Sequence, residues 1–203
     1  MKEELCREAE DATKNQYQNP LWNRLRFSRI TASVLDQASK CRTVNGSLIN
    51  LIQGAKLRET SAMSRGKRFE SQVLAVLQER YSIHFQQCGL ILKPKFPVFG
   101  ASRDAISEEY VVEIKCPINA KSRLNYLNSR GDITLHCETQ IQLQMLLSGR
   151  KKGLFCVASP DFEKSKSITV VKVLFNPVLI RCHMKKALSF WEKSIGKQLL
   201  RND

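Results

Sequence analysis

The residues best suited to chemistry are two acids and a lysine, Asp104, Glu113 and Lys115, in the pattern D-x8-E-x-K. Side chains alternate between the two faces of a strand, so Glu113 and Lys115 point the same way. If the strand before them ends near Asp104 and pairs with theirs as a hairpin, Asp104 falls beside Glu113. Two carboxylates and an ammonium group would then share one small site.

Such a site is typical of phosphodiester hydrolysis with a metal ion. Clustered carboxylates are costly unless a cation neutralises them, and oxygen ligands without nearby His or Cys favour Mg²⁺ or Mn²⁺ over zinc. The cation lowers the pKa of a bound water, and Lys115 would orient or deprotonate that water or offset charge in the transition state. The alternative is an ordinary surface hairpin with an exposed Glu–Lys pair, and the pattern alone does not separate the two.

The charge of the chain points to a polyanionic partner. Thirty-three Lys and Arg against nineteen Asp and Glu give a net charge of +14, and binding to phosphates releases counterions. Between Arg24 and Arg68 there are two acids, Asp36 and Glu59, and ten basic residues, namely Arg24, Arg26, Arg29, Lys40, Arg42, Lys56, Arg58, Arg65, Lys67 and Arg68. The alternative is that these basic residues form an ordinary surface exposed to solvent.

Other classes of protein fit the sequence less well. No apolar run approaches the roughly 18 residues of a membrane span, and the charged segment Met1–Cys6 is unlike a signal peptide. The seven cysteines are odd in number and none form a C-x-x-C pair, which argues against a disulfide framework and a zinc site. We therefore expect an intracellular protein, in the cytoplasm or the nucleus, with no membrane partner.

The elements that must position the acids follow from hydrophobic periodicity and turn residues. Expected helices cover residues 47–58, 61–81, 138–147 and 177–200, with another starting near Thr31. Expected strands cover residues 88–92, 98–102, 110–116, 154–159 and 168–175, the second and third joined as a hairpin through 106–109. This order predicts an α/β or α+β domain whose sheet centres on 110–116. We expect an N-terminal arm or short helix over 1–20 and a single domain over 21–203.

Five segments in order carry a family resemblance: residues 22–33, 65–70, 102–104, 113–117 and 140–144. They resemble motifs of the YqaJ-type viral recombinase family, to which phage lambda exonuclease belongs, and the likeness spans roughly residues 20–195. The resemblance implies a PD-(D/E)XK restriction-endonuclease-like core, with a mixed central β-sheet flanked by helices. One departure is that Arg103-Asp104-Ala105 stands where the family usually has Pro-Asp-Gly.

The resemblance also assigns roles to single residues. It implies Glu70, Asp104, Glu113 and the Ile114 carbonyl as metal ligands, Lys115 as the catalytic lysine, and Gln142 as an active-site glutamine. Gln140 and Gln144 share a helix face with Gln142 less well, and polar helix surface is the alternative for either. Arg26 and Ser33 match residues that hold the terminal 5′-phosphate, and Ser102 and Lys121 match further phosphate contacts. Glu70 as a solvated helix residue and Arg26 as one more exposed arginine are the structural alternatives.

Together these observations predict a Mg²⁺-dependent deoxyribonuclease in which Mn²⁺ substitutes. The expected activity is that of a 5′-to-3′ exonuclease on linear double-stranded DNA, with a role in recombination or repair. One alternative is a nuclease specific for single strands or for DNA structures, and another is a non-catalytic DNA-binding module on the same fold. Besides DNA, the family resemblance implies a single-strand annealing protein as partner and a homotrimer as the assembly.

Overall fold

Two β-sheets flanked by helices make up the computed structural model, which describes residues 2–55 and 58–200. The smaller sheet has the order β1–β3–β2, with β1 at Ile30–Thr31, β2 at Ile91–Leu92 and β3 at Phe99–Ala101. The larger has the order β4–β5–β6–β7, with β4 at Ala105–Ile106, β5 at Tyr110–Lys115, β6 at Lys152–Ala158 and β7 at Ile168–Leu174. The predicted α/β class is confirmed.

Helices lie before, between and after these strands in the chain. They are α1 Glu3–Ala12, α2 Pro20–Arg26, α3 Leu35–Lys40, α4 Ser47–Ile52, α5 Ser61–Tyr81, α6 Ala120–Arg123, α7 Leu135–Ser148, α8 Phe162–Ser165, α9 Pro177–Trp191 and α10 Lys197–Leu199. Lys56, the last part of the helix expected over 47–58, and residues 201–203 of the expected domain lie outside the described residues. No helix within the described ranges is long and apolar enough to cross a lipid bilayer.

The larger sheet is mixed and is covered by a helix on each face. Strand β5 pairs in parallel with β6, while β4–β5 and β6–β7 are antiparallel pairs. Val112 and Ile114 of β5 pack in a cluster with the buried side of α5, whereas Val111 packs with residues of α7. Because side chains alternate along a strand, Glu113 and Lys115 share the α7 face with Val111.

Helix α5 has the bounds that the sequence predicts. The Thr60 hydroxyl caps its first turn by accepting from the Met63 N–H at 3.2 Å, and Ser82 ends it in the left-handed conformation. Its apolar stripe is buried through Phe69, Val73 and Leu77. Glu70 follows Phe69 directly and therefore lies at the border of this stripe, where a carboxylate can reach the edge of the sheet.

The hairpin expected between residues 98–102 and 110–116 is wrong in its first strand. Residues 99–101 form β3 of the smaller sheet, and the antiparallel partner of β5 is the short β4, with Ala105 opposite Val112. The chain crosses from one sheet to the other through residues 102–104. Asp104 keeps the expected place beside β5, because its N–H donates to the Val112 carbonyl at 3.2 Å.

Several other expected elements are shorter or divided in the structure. The helix expected from Thr31 begins only at Leu35, because Ile30 and Thr31 pair with β3 and a 3₁₀ turn follows at Ala32–Val34. The helix expected over 47–58 ends at Ile52, and the strand expected over 88–92 begins only at Ile91. The last helix is interrupted after Trp191 by a π turn at Glu192–Gly196.

Residues 3–18 lie against the smaller sheet. Cys6 of α1 is buried with Leu90 and Leu92, and the Thr13 hydroxyl accepts from the Leu90 N–H at 2.8 Å. A 3₁₀ turn at Gln16–Gln18 leads from this helix into α2. The division of the chain at residue 20 into an N-terminal arm or short helix and one domain stays a prediction.

Candidate active site

Glu113 is a buried carboxylate whose oxygens are held by three side chains. It is 4% exposed, on the α7 face of β5. Its Oε1 accepts from Lys115 Nζ at 2.6 Å and from Gln140 Nε2 at 2.5 Å, and its Oε2 accepts from Gln144 Nε2 at 2.6 Å. Because a buried charge needs partners, this network is what allows Glu113 to lie inside the fold.

Asp104 approaches the same site from the turn before β4. Its Oδ2 accepts from the Ile114 N–H at 2.5 Å, beyond the point where β4 ends. Burial and the negative charges of Glu113 and Glu70 raise the pKa of Asp104 well above its ordinary value. The side chain thus lies close to two like charges, an arrangement that favours binding of a cation.

Glu70 completes the acidic group from α5. Burial and the charge of Glu113 raise the pKa of its carboxyl group, and the Lys115 ammonium counteracts part of this effect. The structure therefore brings Glu70 of α5 together with Asp104, Glu113 and Lys115, which lie more than 30 residues further along the chain. Solvated helix surface does not describe Glu70, which is partly buried and lines a cavity with Asp104.

Lys115 keeps its proton in this environment. Burial lowers the pKa of its ammonium group, but the charges of Glu113 and Asp104 and the hydrogen bond to Glu113 outweigh burial and raise the pKa above its ordinary value. Its Nζ also donates to Gln140 Oε1 at 3.2 Å and lies 6.0 Å from the ring centre of Tyr126. At neutral pH this group is a positive charge and hydrogen-bond donor rather than a base.

The donor set fits a hard divalent cation in chemistry, although its side chains are engaged with one another. Three carboxylates and a neighbouring peptide carbonyl are the oxygen ligands that Mg²⁺ prefers. Across residues 2–55 and 58–200, no three His, Cys, Asp or Glu side chains are already arranged as a metal-binding group. The Glu113 oxygens face Lys115, Gln140 and Gln144 instead. A cation would have to exchange with these contacts.

Gln142, predicted as the active-site glutamine, lies on the opposite side of α7. Its Nε2 donates to the Leu174 carbonyl at 2.8 Å, and its Oε1 accepts from the Asn176 N–H at 2.8 Å. Residues 140 and 144 share one helix face, whereas residue 142 is turned about 200° away from it. This corrects the prediction, since Gln140 and Gln144 bind Glu113 and are buried rather than on the polar helix surface.

Two cavities share Lys67 as a lining residue, and the smaller one contains Glu70 and Asp104. One, of about 270 Å³, is lined by Glu70, Asp104 and Lys67 and by N-terminal residues that include Lys14 and Gln16. The second, of about 790 Å³, is lined by residues that include Trp22, Arg26, Thr31, Ser33, Lys67 and His136.

Arg26 and Ser33, the predicted 5′-phosphate residues, line the larger cavity. The Arg26 guanidinium lies over the Trp22 ring at 3.8 Å from its centre, and burial lowers its pKa to about 10, so it is charged at neutral pH. Ser33 is exposed, with its hydroxyl 3.2 Å from the Thr31 hydroxyl. A guanidinium with two hydroxyls is well suited to a phosphate group.

The other two predicted phosphate contacts lie elsewhere. The Ser102 hydroxyl accepts from the Trp22 indole N–H at 2.8 Å, so it adjoins the larger cavity only through that indole. Lys121 is exposed on α6 and lines neither of the two cavities. Its predicted role depends on a longer stretch of nucleic acid than these cavities hold.

Sequence patterns assign no functional role to Gln140, Gln144, Thr31 or Lys67. Gln140 and Gln144 could have been found from their spacing of four on a helix whose positions 139–145 are all buried. Buried amides require hydrogen-bond partners, and the facing strand offers Glu113. Thr31 and Lys67 lie inside the motif segments, but nothing in the sequence distinguishes them from their neighbours.

Comparison with known proteins identifies the family. A family model described as viral alkaline exonuclease matches residues 1–127, which include all three acids and Lys115. No curated protein matches the chain by sequence. The match confirms the predicted likeness to viral exonucleases of the YqaJ type.

Solved structures show the same fold. An alkaline exonuclease from Laribacter hongkongensis, LHK-Exo, superposes with a TM-score of 0.73 at 21% identity, over 89% of this chain and 95% of that chain. The Shutoff and Exonuclease Protein of Kaposi's sarcoma-associated herpesvirus gives 0.63 at 14% identity, over 94% and 72%. A phage-related exonuclease from Haemophilus somnus gives 0.60 at 12% identity, over 87% and 99%.

These likenesses confirm the predicted PD-(D/E)XK fold, and β5 of the mixed sheet carries Glu113 and Lys115. The family match covers well over half of the 203 residues and contains the acidic group and its lysine. The protein therefore belongs to the viral alkaline exonuclease family and is a nuclease that acts on DNA.

Proposed function

We propose that this nuclease is a Mg²⁺-dependent exonuclease, in which Mn²⁺ substitutes, that removes nucleotides from the 5′ ends of linear double-stranded DNA. The observation that carries the proposal is the convergence of Glu70, Asp104 and Glu113 with Lys115, with Glu70 and Asp104 lining a cavity. Structures of fold relatives contain nucleic acid or its product, since LHK-Exo is known with dAMP and the herpesvirus protein with DNA and with RNA.

Glu70, Asp104, Glu113 and the Ile114 carbonyl would hold the cation. Within a strand, the N–H and C=O groups of one residue point to the same edge. The Ile114 N–H faces Asp104, so its carbonyl points to that edge as well, beyond the end of β4. When bound, the cation supplies positive charge that lowers the pKa of the attacking water and neutralises the phosphate.

The protein's own side chains provide the remaining functions. We assign Lys115 to orienting the water and to stabilising negative charge that develops on the phosphate. Gln140 and Gln144 fix the direction of the Glu113 carboxylate. As amides they do this without adding charge to the site.

The larger cavity would determine the polarity of digestion. We assign Arg26, Ser33 and Thr31 to the terminal 5′-phosphate, and Ser102 and Lys121 to phosphates further along the strand. A pocket that recognises a charged end, one cavity away from the acids, favours cleavage from 5′ termini over internal cleavage. Lys67, which lines both cavities, is suited to the phosphate between them.

The test is digestion of end-labelled linear duplex with Mg²⁺, Mn²⁺ or EDTA. We expect rapid digestion from 5′-phosphate ends, slower digestion from 5′-hydroxyl ends, and no cutting of closed circles. Glu113→Gln and Lys115→Ala should each lower the rate by at least about 100-fold. Glu108→Gln, which changes an exposed acid on the neighbouring hairpin, should not.

Other outcomes of this digestion would favour the alternatives. Equal rates for the wild type and both site variants, or activity in EDTA, contradict the proposal. Cutting of closed circles or a preference for single strands indicates a structure-specific or single-strand nuclease. DNA binding without cleavage in either metal indicates a non-catalytic binding module.

We also propose a role in recombination or repair, as a homotrimer with a single-strand annealing protein as partner. The family assignment alone supports these points, and light scattering of the purified protein tests the trimer. We propose an intracellular location. All seven cysteines are free thiols, which suits a reducing compartment.

A further inference from the structure

The turn that carries Asp104 is held in place by the N-terminal segment. Arg103, the residue before Asp104, is 5% exposed, and its Nη2 lies 2.8 Å from Oε1 of Glu10 on α1. Gln16, in the turn after α1, donates from Nε2 to the Arg103 carbonyl at 2.9 Å and to the Cys88 carbonyl at 3.1 Å. Both the side chain and the backbone of Arg103 are thus tied to residues about 90 positions away in the chain.

The N-terminal segment has little freedom to shift along its contact surface. A Cβ atom on Gly89 would collide with the Glu10 carbonyl oxygen and would lie 2.5 Å from the Thr13 hydroxyl, so α1 approaches the backbone there directly. The Thr13 hydroxyl in turn accepts from the Leu90 N–H. Glu10, Thr13 and Gln16 therefore present one face, spaced by three residues, to the strand region and the Asp104 turn.

Arg103 depends on its ion pair with Glu10 because its charge is buried. Among the described residues, neither Nε nor Nη1 of Arg103 has a hydrogen-bond partner, so Glu10 is the principal compensation for its charge. Removing one partner of a buried pair leaves an uncompensated charge, which tends to move towards water. Any such movement of Arg103 displaces the adjacent Asp104.

The contacts from Glu10 and Gln16 act on a turn whose own residues restrict its backbone little. The family's usual Pro-Asp-Gly would limit the backbone at this turn through the fixed φ of Pro and a Gly conformation. Arg103 and Ala105 provide neither restriction. The contacts from Glu10 and Gln16 hold the turn from outside, and Gln16 also lines the cavity that contains Glu70 and Asp104.

We propose that Glu10 and Gln16 are positioning residues that fix the Arg103–Asp104 turn and thereby place the Asp104 carboxylate for cation binding. This inference rests on the proposed function. On this view the N-terminal segment is part of the active site, and the ion pair with Arg103 replaces the missing Pro and Gly.

The test is calorimetric titration of the full chain with Mn²⁺, without DNA, for the wild type, Glu10→Gln and Gln16→Ala. Both variants should bind Mn²⁺ about 10-fold more weakly or worse, as loss of an outer-shell partner does in other metal sites. In digestion assays the Mg²⁺ concentration for half-maximal rate should rise in parallel, with little change in KM for DNA. If Glu10 and Gln16 only stabilised the fold, metal binding and KM for DNA would not change separately.

Two controls match these variants. Glu8→Gln changes an exposed acid on the same helix and should leave Mn²⁺ affinity unchanged. Ile195→Val, in the core beyond α9, should lower the Tm without changing Mn²⁺ affinity, which separates lost stability from lost positioning. Gln16→Ala leaves the ion pair intact, so it keeps the test decisive if Glu10→Gln does not fold.

The inference is overturned if the wild type binds Mn²⁺ and cleaves DNA while Glu10→Gln and Gln16→Ala bind it as tightly as Glu8→Gln. A wild type that neither binds Mn²⁺ nor cleaves DNA overturns the proposed function itself, and this inference with it. Weakened Mn²⁺ binding in both variants, at a Tm no lower than that of Ile195→Val, supports the inference.

Discussion

Asp104, one of the three acids of the site, destabilises the folded state when it is ionised. The pKa of Asp104 lies well above its ordinary value because of burial and the charges of Glu113 and Glu70. A raised carboxyl pKa means that the folded protein binds this proton more tightly than the unfolded chain does. Above the unfolded pKa, ionised Asp104 therefore destabilises the folded state, and the cost grows as the pH rises through the folded pKa.

Asp104→Asn should for this reason raise the stability of the metal-free protein at neutral pH while abolishing cleavage. The amide oxygen can still accept from the Ile114 N–H, so the turn keeps its hydrogen bond. Scanning calorimetry in EDTA from about pH 4 to pH 8 measures this effect. We expect the difference in Tm between variant and wild type to increase with pH.

The matched control for this measurement is Glu108→Gln, an exposed acid whose removal should not change the Tm in the same way. Adding Mg²⁺ should stabilise the wild type more than Asp104→Asn, because the variant lacks one proposed ligand. If Asp104→Asn is less stable than the wild type at neutral pH in EDTA, burial of Asp104 and repulsion between the carboxylates do not destabilise the fold.

At the scale of elements, α7 serves two purposes on two faces. Gln140 and Gln144 face the Glu113 carboxylate, and Gln142 joins the helix to the backbone of Leu174 and Asn176, where β7 passes into α9. Three glutamines at alternate positions thus belong to two different networks. Only the turn of the helix separates them.

Substitution of two of these glutamines should separate function from stability. Gln144→Met leaves Glu113 Oε2 without its amide donor and should lower kcat by about 10-fold or more. Gln142→Met should lower the free energy of unfolding by about 1–3 kcal/mol, because two backbone groups lose their partners, with kcat close to that of the wild type. Urea unfolding and digestion rates of both variants measure this, and the opposite pattern would contradict the assignment of the two faces.

Local signals explain which elements the sequence predicts well. Helix α5 has a capping threonine at residue 60 and a stripe with regular spacing, and its bounds are confirmed. Strand β5 follows from its β-branched residues, and the D-x8-E-x-K spacing brings Asp104 beside Glu113 as expected. In both cases the information lies within about 20 consecutive residues.

Tertiary contacts determine the features that the sequence does not reveal. The pattern of residues 98–102 predicts a strand, but pairing with Ile30–Thr31 and Ile91–Leu92 assigns it to the smaller sheet. Gln142 is misassigned because α7 is buried on nearly all sides, so periodicity does not indicate which face meets β5. The contact between Glu10 and Arg103 joins residues too distant for any local pattern.

For the whole molecule, net charge governs encounters with DNA. A net charge of +14 favours binding through released counterions, so affinity should depend steeply on salt. The slow-cleaving Glu113→Gln variant allows binding of linear duplex to be measured by fluorescence anisotropy between about 50 and 200 mM salt. We expect log Kd to rise linearly with log salt, by about 10³- to 10⁵-fold if six to ten phosphates are contacted.

Controls for the salt titration distinguish general attraction from the proposed end recognition. Arg26→Gln should weaken binding to 5′-phosphate ends more than binding to 5′-hydroxyl ends. Lys164→Gln, an exposed residue of α8, should change both equally. An affinity that does not respond to salt would show that charge contributes little to binding.

The stacking of Arg26 on Trp22 has a practical consequence for optical work on this protein. The sequence has two tryptophans, Trp22 and Trp191, and the second donates its indole N–H to the Ser28 carbonyl at 2.7 Å. Indole emission depends on charge above the ring and on the bond made by its nitrogen, and Trp22 has both, to Arg26 and to Ser102. In a Trp191→Phe background, tryptophan emission therefore comes only from Trp22, which lines the larger cavity, and no attached dye is needed to observe it.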